Sequence, residues 1–593
     1  MQAWVRAGLV AMAVAVGCGE DEAESAPGPT GGTLPDGAPV GTGTGLDGGA
    51  AATDGSVTTG DGGFITLPDG AVIPKPKDGG VVNDDAGPPK PPVTGLTQFT
   101  EVTSQAGIGT LESGMNWAFD CAIEDFDNDD KLDVFLGDHD SANNQNRLGK
   151  NSGTGTFTAV ATAAIKNASS GGVWSLSLAD FNNDGFMDAI PNWDASNTST
   201  FLNNGAGSFT NLAMSSMDHQ ANGMVWGDYD GDGLLDFAVS NFNGTNRLWH
   251  RKTAGTASSD WEQKAGVMAT GNASTSLYMA DLNGDHFPDI VMQTLTGNVF
   301  QSTTGCSTKV LFNKGVKGAS AGFNAPVTAG LDNAPCFGIA MGDYDNDGDL
   351  DLIGVGSAAA GSAPLTGTNI KLGMALLRND GTGNFSDVTG AALLPTTTSN
   401  VDVYAHIYDQ AVFTDLDQDG YLDLIVSLGK NSVYRNLGNR TFQDVTTTWK
   451  LSVTGGRPAR VFVGDIDADG DVDLLTQTGQ AATIGYRLWR NDLGSARWLT
   501  VRAAGTKIKS ALGSKISLYE AGHAGDAAFL RGYREVITST SHRSPLEQYF
   551  GTETGKNYDV QVRFWPDGTV VTIPNQTAGK RLRINENGTS AVY

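Results

Sequence analysis

The chain has 593 residues, enough for several domains and a large buried core. A formal net charge of −28 excludes a nucleic-acid binder, which needs a Lys/Arg-rich footprint. With 79 glycines and few polar runs at helical spacing, the main body reads as β-rich and full of turns.

Residues 1–18 read as a targeting segment. Arg6 precedes the apolar run "AGLVAMAVAVG", which is too short to span a bilayer and is followed at once by polar sequence. The run ends in "AVGC", and a small residue before cysteine resembles a bacterial lipoprotein signal. That would make Cys18 the lipidated first residue of the mature chain and its anchor to the membrane. The expectation is an exported protein, either a lipoprotein at the bacterial cell surface or a simply secreted one. Residues 19–95 are Gly, Asp, Pro, Thr and Ala with almost no aromatics ("GTGTGLDGGAAATDGSVTTGDGG", "GPPKPP"). That composition cannot bury enough apolar area to offset ordering entropy, so the stretch reads as a disordered tether. The remaining cysteines are Cys121, Cys306 and Cys336, with no CxxC pair, which argues against zinc. In an exported protein Cys306 and Cys336 could form a disulfide, with Cys121 left buried and free.

Residues 96–492 are repetitive. "DYDGDGLLD" from Asp228 recurs as "DFDNDDKLD" from Asp125, "DFNNDGFMD" from Asp180, "DLNGDHFPD" from Asp281, "DYDNDGDLD" from Asp343, "DLDQDGYLD" from Asp415 and "DIDADGDVD" from Asp465. An alternating run precedes each loop ("MVWG", "IAMG", "VFVG") and a β-branched or Leu-rich run follows ("LDFAVS", "LDLIVS"). A third run ends in an Asn/Gly turn ("LLRNDGTGNF", "VYRNLGNRTF"), and a short strand such as "FSDVT" completes the unit. Four short strands per unit predict the blade of a β-propeller, here seven-bladed, with an open solenoid of the same units as the alternative.

Hard cations such as Ca²⁺ take six to eight oxygen ligands, and D-x-D-x-D-G-x-x-D supplies carboxylates at positions 1, 3, 5 and 9 and a carbonyl at 7. Mg²⁺ suits these loops less well, because it keeps several waters and strict octahedral geometry. The candidate ligands are Asp125, Asp127, Asp129 and Asp133; Asp180, Asn182, Asp184 and Asp188; Asp228, Asp230, Asp232 and Asp236; and Asp281, Asn283, Asp285 and Asp289. They continue with Asp343, Asp345, Asp347 and Asp351; Asp415, Asp417, Asp419 and Asp423; and Asp465, Asp467, Asp469 and Asp473. Up to seven Ca²⁺ ions are expected. The competing reading is a plain β-turn, with Asp accepting local backbone bonds and Gly supplying φ > 0. The Asp125 loop has Asp130 where glycine belongs, and the Asp281 loop, with both Asn283 and His286, ranks weakest.

These loops and their flanking strands resemble FG-GAP/VCBS repeats, the blades of integrin α-type propellers. Residues 493–593, with "ARWLTVRAAGTKIKSALGSKISLYEAG", "EVITSTSHRSPLEQYFG" and "VQVRFWPDGTV", resemble an ASPIC/UnbV domain. The combination is similar to the cartilage acidic protein family and its bacterial relatives. The resemblance implies a calcium-stabilised extracellular propeller followed by a small β-rich domain, and it does not supply a ligand.

No Walker loop occurs, and the seven histidines are scattered. His139 reads as a solvated loop residue, His286 as distorting its loop, and Trp565 as packing beside its own turn. The expected function is a non-enzymatic binding or adhesion module for an extracellular protein or carbohydrate. The alternative is an extracellular hydrolase or lyase using the axial pocket, since fold alone decides neither. One long-range expectation is specific. The seventh repeat lacks its last strand, while "FTEVT" (Phe99–Thr103) stands ahead of the first loop without a blade of its own. It should close the ring beside the strand around Tyr486–Trp489, removing an unpaired edge.

Overall fold

The computed structural model describes residues 64–66, 72–74 and 99–593, without 114, 116–117, 139–145, 161–164, 166–172, 194–197, 215–220, 242–245, 269–272, 297–304, 319–320, 332–334, 358–369, 396–397, 402–409, 429–430, 452–457, 479–484 and 539–544. The chain divides into two units, Met1–Val81 and Val82–Tyr593. In the first, Phe64–Thr66 pairs antiparallel with Val72–Pro74, a hairpin inside the stretch expected to be a structureless tether. Its cause is local: two β-prone triplets, "FIT" and "VIP", flank a Pro-Asp-Gly turn signal. Cys18 lies outside the described residues.

The second unit is all-β apart from single helical turns. Its first part is a β-propeller. Seven first strands, Ala118–Glu124, Val173–Ala179, Ala221–Gly227, Ala273–Ala280, Cys336–Gly342, Gln410–Thr414 and Pro458–Gly464, each lead into one acidic loop. Each second strand begins on the ninth residue of that loop, as in Asp236–Asn241 and Asp423–Ser427. The pairing Gly227↔Asp236 or Thr414↔Asp423 therefore pinches the loop at its base. Third and fourth strands follow outward, for example Asn431–Asn436 and Phe442–Asp444. Each first strand contacts the first strand of the next sheet, and Pro458–Gly464 contacts Ala118–Glu124, so the array is a closed ring and not an open solenoid.

Closure occurs where the sequence places it. Phe99–Glu101 pairs with Gly485–Asn491 as the outer strand of the last sheet, with Phe99 opposite Asn491 and Glu101 opposite Trp489. Two sheets depart from the four-strand expectation. The fourth has three named strands, and two isolated bridges, Val310↔Val327 and Asn313↔Phe323, stand at its outer edge. The fifth gains Thr398–Val401 beside Ile370–Asn379.

Apolar clusters fill the spaces between neighbouring sheets. Phe462 and Leu475 of the last sheet meet Ile123 and Val134 of the first, while Ile353 and Val355 meet Phe413 and Leu424. Residues after Asn491 form two further four-stranded sheets. One orders Gln548–Gly551, Trp498–Ala504, Lys580–Asn585 and Ser590–Val592, with a parallel central pair. The other orders Leu530–Glu535, Lys515–Glu520, Asn557–Arg563 and Val570–Thr577. Leu499, Val501, Leu582 and Ile584 of one sheet share a core with Ile516, Leu518, Val560 and Val562 of the other, a small sandwich.

Candidate metal centres

All seven loops use one hydrogen-bond scheme. The position-6 N–H donates to Oδ2 of position 1, as in Gly233 to Asp228 (2.9 Å) and Gly420 to Asp415 (2.8 Å). The position-7 N–H donates to position 5, as in Leu234 to Asp232 (2.8 Å). Position 9 is claimed twice. Its Oδ2 accepts from the position-2 N–H and its Oδ1 from a third-strand N–H, as with Leu416 and Asn436 on Asp423 (3.0 and 2.8 Å). Position 6 is left-handed everywhere, which explains its glycines. Asp130 (φ 63°) and His286 (φ 75°) adopt the same conformation at its steric cost.

Positions 1, 5 and 9 thus behave as an ordinary Asp-rich turn would, apart from Asp465 Oδ1, which is buried without a hydrogen-bond partner among the described residues. Position 3 does not. Oδ1 of Asp127, Asp345, Asp417 and Asp467 is buried with no hydrogen-bond partner among the described residues. A buried carboxylate oxygen without a donor is costly, and a cation would satisfy it. Oxygens of Asp125, Asp127 and Asp133, of Asp228, Asp230 and Asp236, of Asp343, Asp345 and Asp347, and of Asp415, Asp417 and Asp423 lie within 4.8 Å of one another in each set. The donors are hard carboxylates, so these residues fit a Ca²⁺ ion. Electrostatics points the same way. Burial first, and neighbouring carboxylates second, push Asp419 up to about 8 and Asp415 up to about 7. Burial likewise raises Asp133 and Asp236 to about 7 and Asp188 to about 8. Four carboxylates in one buried turn resist full ionisation without a counter-charge.

The Asn182 and Asn283 loops differ. Each amide turns inward, Asn182 Nδ2 donating to Asp184 (2.8 Å) and Asn283 Nδ2 to Asp285 (3.2 Å). His286 does not distort its loop as expected: its N–H still reaches Asp281 Oδ2 (2.8 Å), and the one change is that Oδ1 accepts from Gly284. Lys515 Nζ of the C-terminal sandwich pairs with Asp281, placing an ammonium group at this loop's first ligand.

A set of residues not recognised from the sequence ties the loops together. The third-strand residue whose N–H caps position 9 also reaches the position-2 carbonyl of the preceding loop in the ring. Asn203 does so to Phe126 (2.7 Å), Asn313 to Tyr229 (2.8 Å), Asn379 to Leu282 (2.8 Å), Asn436 to Tyr344 (2.8 Å) and Asn491 to Leu416 (2.9 Å). Asn151 reaches Ile466 (2.7 Å) across the closure point, and in the third sheet Arg251 takes the role, reaching Phe181 (2.5 Å). The signal was the recurring asparagine of "GKN", "FLNN", "LLRN", "VYRN" and "LWRN", legible beforehand only as part of a turn.

The C-terminal sandwich sits on the acidic-loop end of the ring. Trp565 Nε1 donates to the Asp228 carbonyl (3.0 Å), Lys509 N–H to Asn183 (3.0 Å), Gly551 N–H to Asp415 Oδ2 (3.0 Å) and Arg581 to the Asp130 carbonyl (3.0 Å). The Asp465 N–H donates to the Tyr549 hydroxyl (3.2 Å), and Arg502 pairs with Glu124 (3.1 Å). Trp565, expected to pack beside its own turn, is buried against Phe287 with its indole on a metal-type loop. Between ring and sandwich lies a cavity of ≈ 100 Å³ with Gly342, Thr414 and Val463 on one side and Glu535, Glu547 and Tyr549 on the other. Its acids are engaged, Glu547 with Arg581 (2.6 Å) and Glu535 with the Asp281 N–H (3.2 Å). His139 lies outside the described residues, as do the side chains of Cys306 and Cys336 and therefore their pairing. Cys121 is buried.

The FG-GAP-like repeat family matches residues 125–190, 228–292 and 415–476, spans that hold every acidic loop except the one from Asp343. No curated protein matches the chain in sequence. Among solved structures, it is similar to the BP39L lectin from Burkholderia pseudomallei, at 11% identity and a TM-score of 0.40, over 64% of this chain and 98% of the lectin. It is also similar to BBS1N, solved in complex with ARL6DN, at 10% identity and a TM-score of 0.28, over 53% of this chain and 92% of that one. The chain carries FG-GAP-like repeats on a β-propeller.

Proposed function

We propose that this protein is an exported, calcium-stabilised β-propeller that acts as a non-catalytic binding module for an extracellular protein or carbohydrate. The observation behind the calcium assignment is the orphaned position-3 oxygen of Asp127, Asp345, Asp417 and Asp467, which local turn bonding leaves unexplained. In the sixth loop Asp415, Asp417, Asp419 and Asp423 would hold the ion, which would supply the counter-charge that lets all four ionise. The Asp281 loop, with Lys515 on its first aspartate, is the weakest of the seven sites. Because the sandwich covers the acidic-loop end, a ligand would dock at the other end of the ring or on its rim. Cys18 and the tether would hold the propeller away from a bacterial membrane, in keeping with the resemblance to the cartilage acidic protein family.

The test is calorimetric melting of the full chain after chelation and after return of Ca²⁺ or Mg²⁺. A ligand that binds only the folded state adds about 2.7 kcal/mol per site at a hundredfold excess over Kd. Chelation should therefore lower the Tm by several degrees, and Ca²⁺ should restore it at lower concentration than Mg²⁺. Protein shown to contain calcium whose melt ignores the chelator would remove the assignment. Glycan and protein arrays run with and without Ca²⁺ would then address the ligand.

A further inference from the structure

The seven loops differ at position 3, and the third strand differs with them. The residue immediately before the one that caps position 9 is Lys150, Leu202, His250, Phe312, Arg378, Arg435 and Arg490, in ring order. Position 3 of the same loops is Asp127, Asn182, Asp230, Asn283, Asp345, Asp417 and Asp467. Every aspartate is matched by a basic residue and both asparagines by an apolar one. The two positions lie about 15 to 35 residues apart in sequence, but the blade fold brings the third strand back beside the loop.

Two of the matched pairs, at Asp127 and Asp417, are direct ion pairs. Lys150 Nζ pairs with Asp127, and also reaches Asp129 (3.3 Å). His250 Nδ1 stands 3.2 Å from Asp236 Oδ1 and 3.5 Å from Asp230 Oδ2, so it faces positions 9 and 3 together. Arg435 pairs through Nε with Asp417 and through a terminal nitrogen with Asp419 (2.7 Å), all three side chains being buried. Arg490 makes its direct bond to Asp492 (2.7 Å) and acts on Asp467 through its charge alone. Asp345 adds a variant, since its direct partner is Arg440 (2.9 Å), from the turn between the third and fourth strands of the next sheet. In the asparagine loops the amide bonds within its own loop, and Leu202 and Phe312 pack on the apolar clusters.

We propose that this third-strand residue is the built-in counter-ion of the position-3 carboxylate, so that Asp–Arg and Asn–Leu are interchangeable as pairs and not as single residues. Counting positions 1, 3, 5 and 9 with the matched cation charged, each of the seven sites carries the same net charge of about −3. The cation keeps the loop folded when no metal is bound. When a metal enters, it competes with the metal for position 3 and so levels affinity around the ring. The second half of this inference rests on the calcium reading, while the first half does not.

The sixth loop gives the test through Asp417→Asn, Arg435→Leu and the double variant, each in the full chain. In chelator, each single change unbalances a buried charge and should lower the Tm by a few degrees, while the double should return to within about 1 °C of the parent. In calcium, the free concentration that half-restores the Tm should fall roughly threefold for Arg435→Leu and rise roughly threefold for Asp417→Asn, with the double near the parent. If the double loses the sum of the two single losses in chelator, the pairing is wrong. If pairing holds in chelator but Arg435→Leu leaves the calcium midpoint unmoved or raised, competition is wrong. If no variant, nor the parent, responds to calcium, the calcium reading fails while the chelator cycle still decides the pairing.

Discussion

The closing strand offers the sharpest test of the fold, through Phe99→Ala. Phe99 is 3% exposed and packs with Val463, Leu474 and Trp489 of the last sheet and with Trp449 of the connection before it. Beside it, Val102 N–H reaches the Leu488 carbonyl (2.9 Å) and Thr103 Oγ1 accepts from Leu488 N–H (3.0 Å). Truncating a buried Phe costs about 3–5 kcal/mol. If the Val82–Tyr593 unit melts cooperatively, its roughly 500 residues give an unfolding entropy near 1 kcal/mol/K, so the Tm should fall by about 3–5 °C. Deleting residues 19–94 should leave the Tm unchanged, whereas extending the deletion through Thr103 should expose the edge of Gly485–Asn491 and produce aggregates. Differential scanning calorimetry reads the first two variants and light scattering after size exclusion the third. A Phe99→Ala melt within 1 °C of the parent, or a monomeric deletion through Thr103 with the parental Tm, would refute the argument.

Two further outcomes follow from the loops and their cover. The loop carboxylates are raised in the folded state, Asp236 and Asp415 to about 7 and Asp188 to about 8, so the native protein binds protons more tightly than the unfolded chain. In chelator, stability should therefore fall as pH rises from about 4 to 8 and level off above, and saturating Ca²⁺ should abolish that slope; equal slopes with and without the ion would contradict it. Trp565→Ala removes a buried indole and its bond to the Asp228 carbonyl. It should cost about 3–5 kcal/mol and speed proteolytic release of the C-terminal sandwich, whereas an unchanged digestion pattern would show that the sandwich does not depend on this contact.

The parts legible in the sequence are those whose cause is local. A nine-residue loop with glycine at its left-handed position, pinched between two alternating strands, needs no partner from elsewhere to declare itself. The closing strand was legible for a different reason: Phe99 begins a fourth-strand motif and the seventh repeat lacks one. What stayed hidden depends on the assembled ring. Asn436 is an unremarkable turn residue until its amide is seen to reach Tyr344 in the neighbouring sheet. The sandwich's seat was equally hidden, because Lys509, Gly551 and Trp565 meet backbone and loop atoms in no periodic order. Among the described residues the fourth sheet's outer edge carries two bridges in place of a fourth strand, where "GVKGASAGFNAPV" puts glycines and a proline instead of the "FSDVT" pattern.

The side-chain-to-carbonyl bonds from Asn151 round to Asn491, six from amides and one from Arg251, have a property that no single sheet shows. They form a cycle with no first or last member. In a linear array the terminal repeat has one neighbour, frays first, and must be built as a special cap. In a cycle every member has two neighbours, so a poor one is braced from both sides wherever it falls. The fourth sheet, with three strands and a histidine in its loop, is such a member, and it holds the Tyr229 carbonyl through Asn313 while its own Leu282 is held by Asn379. Circular order lets the chain vary any one repeat without creating an end.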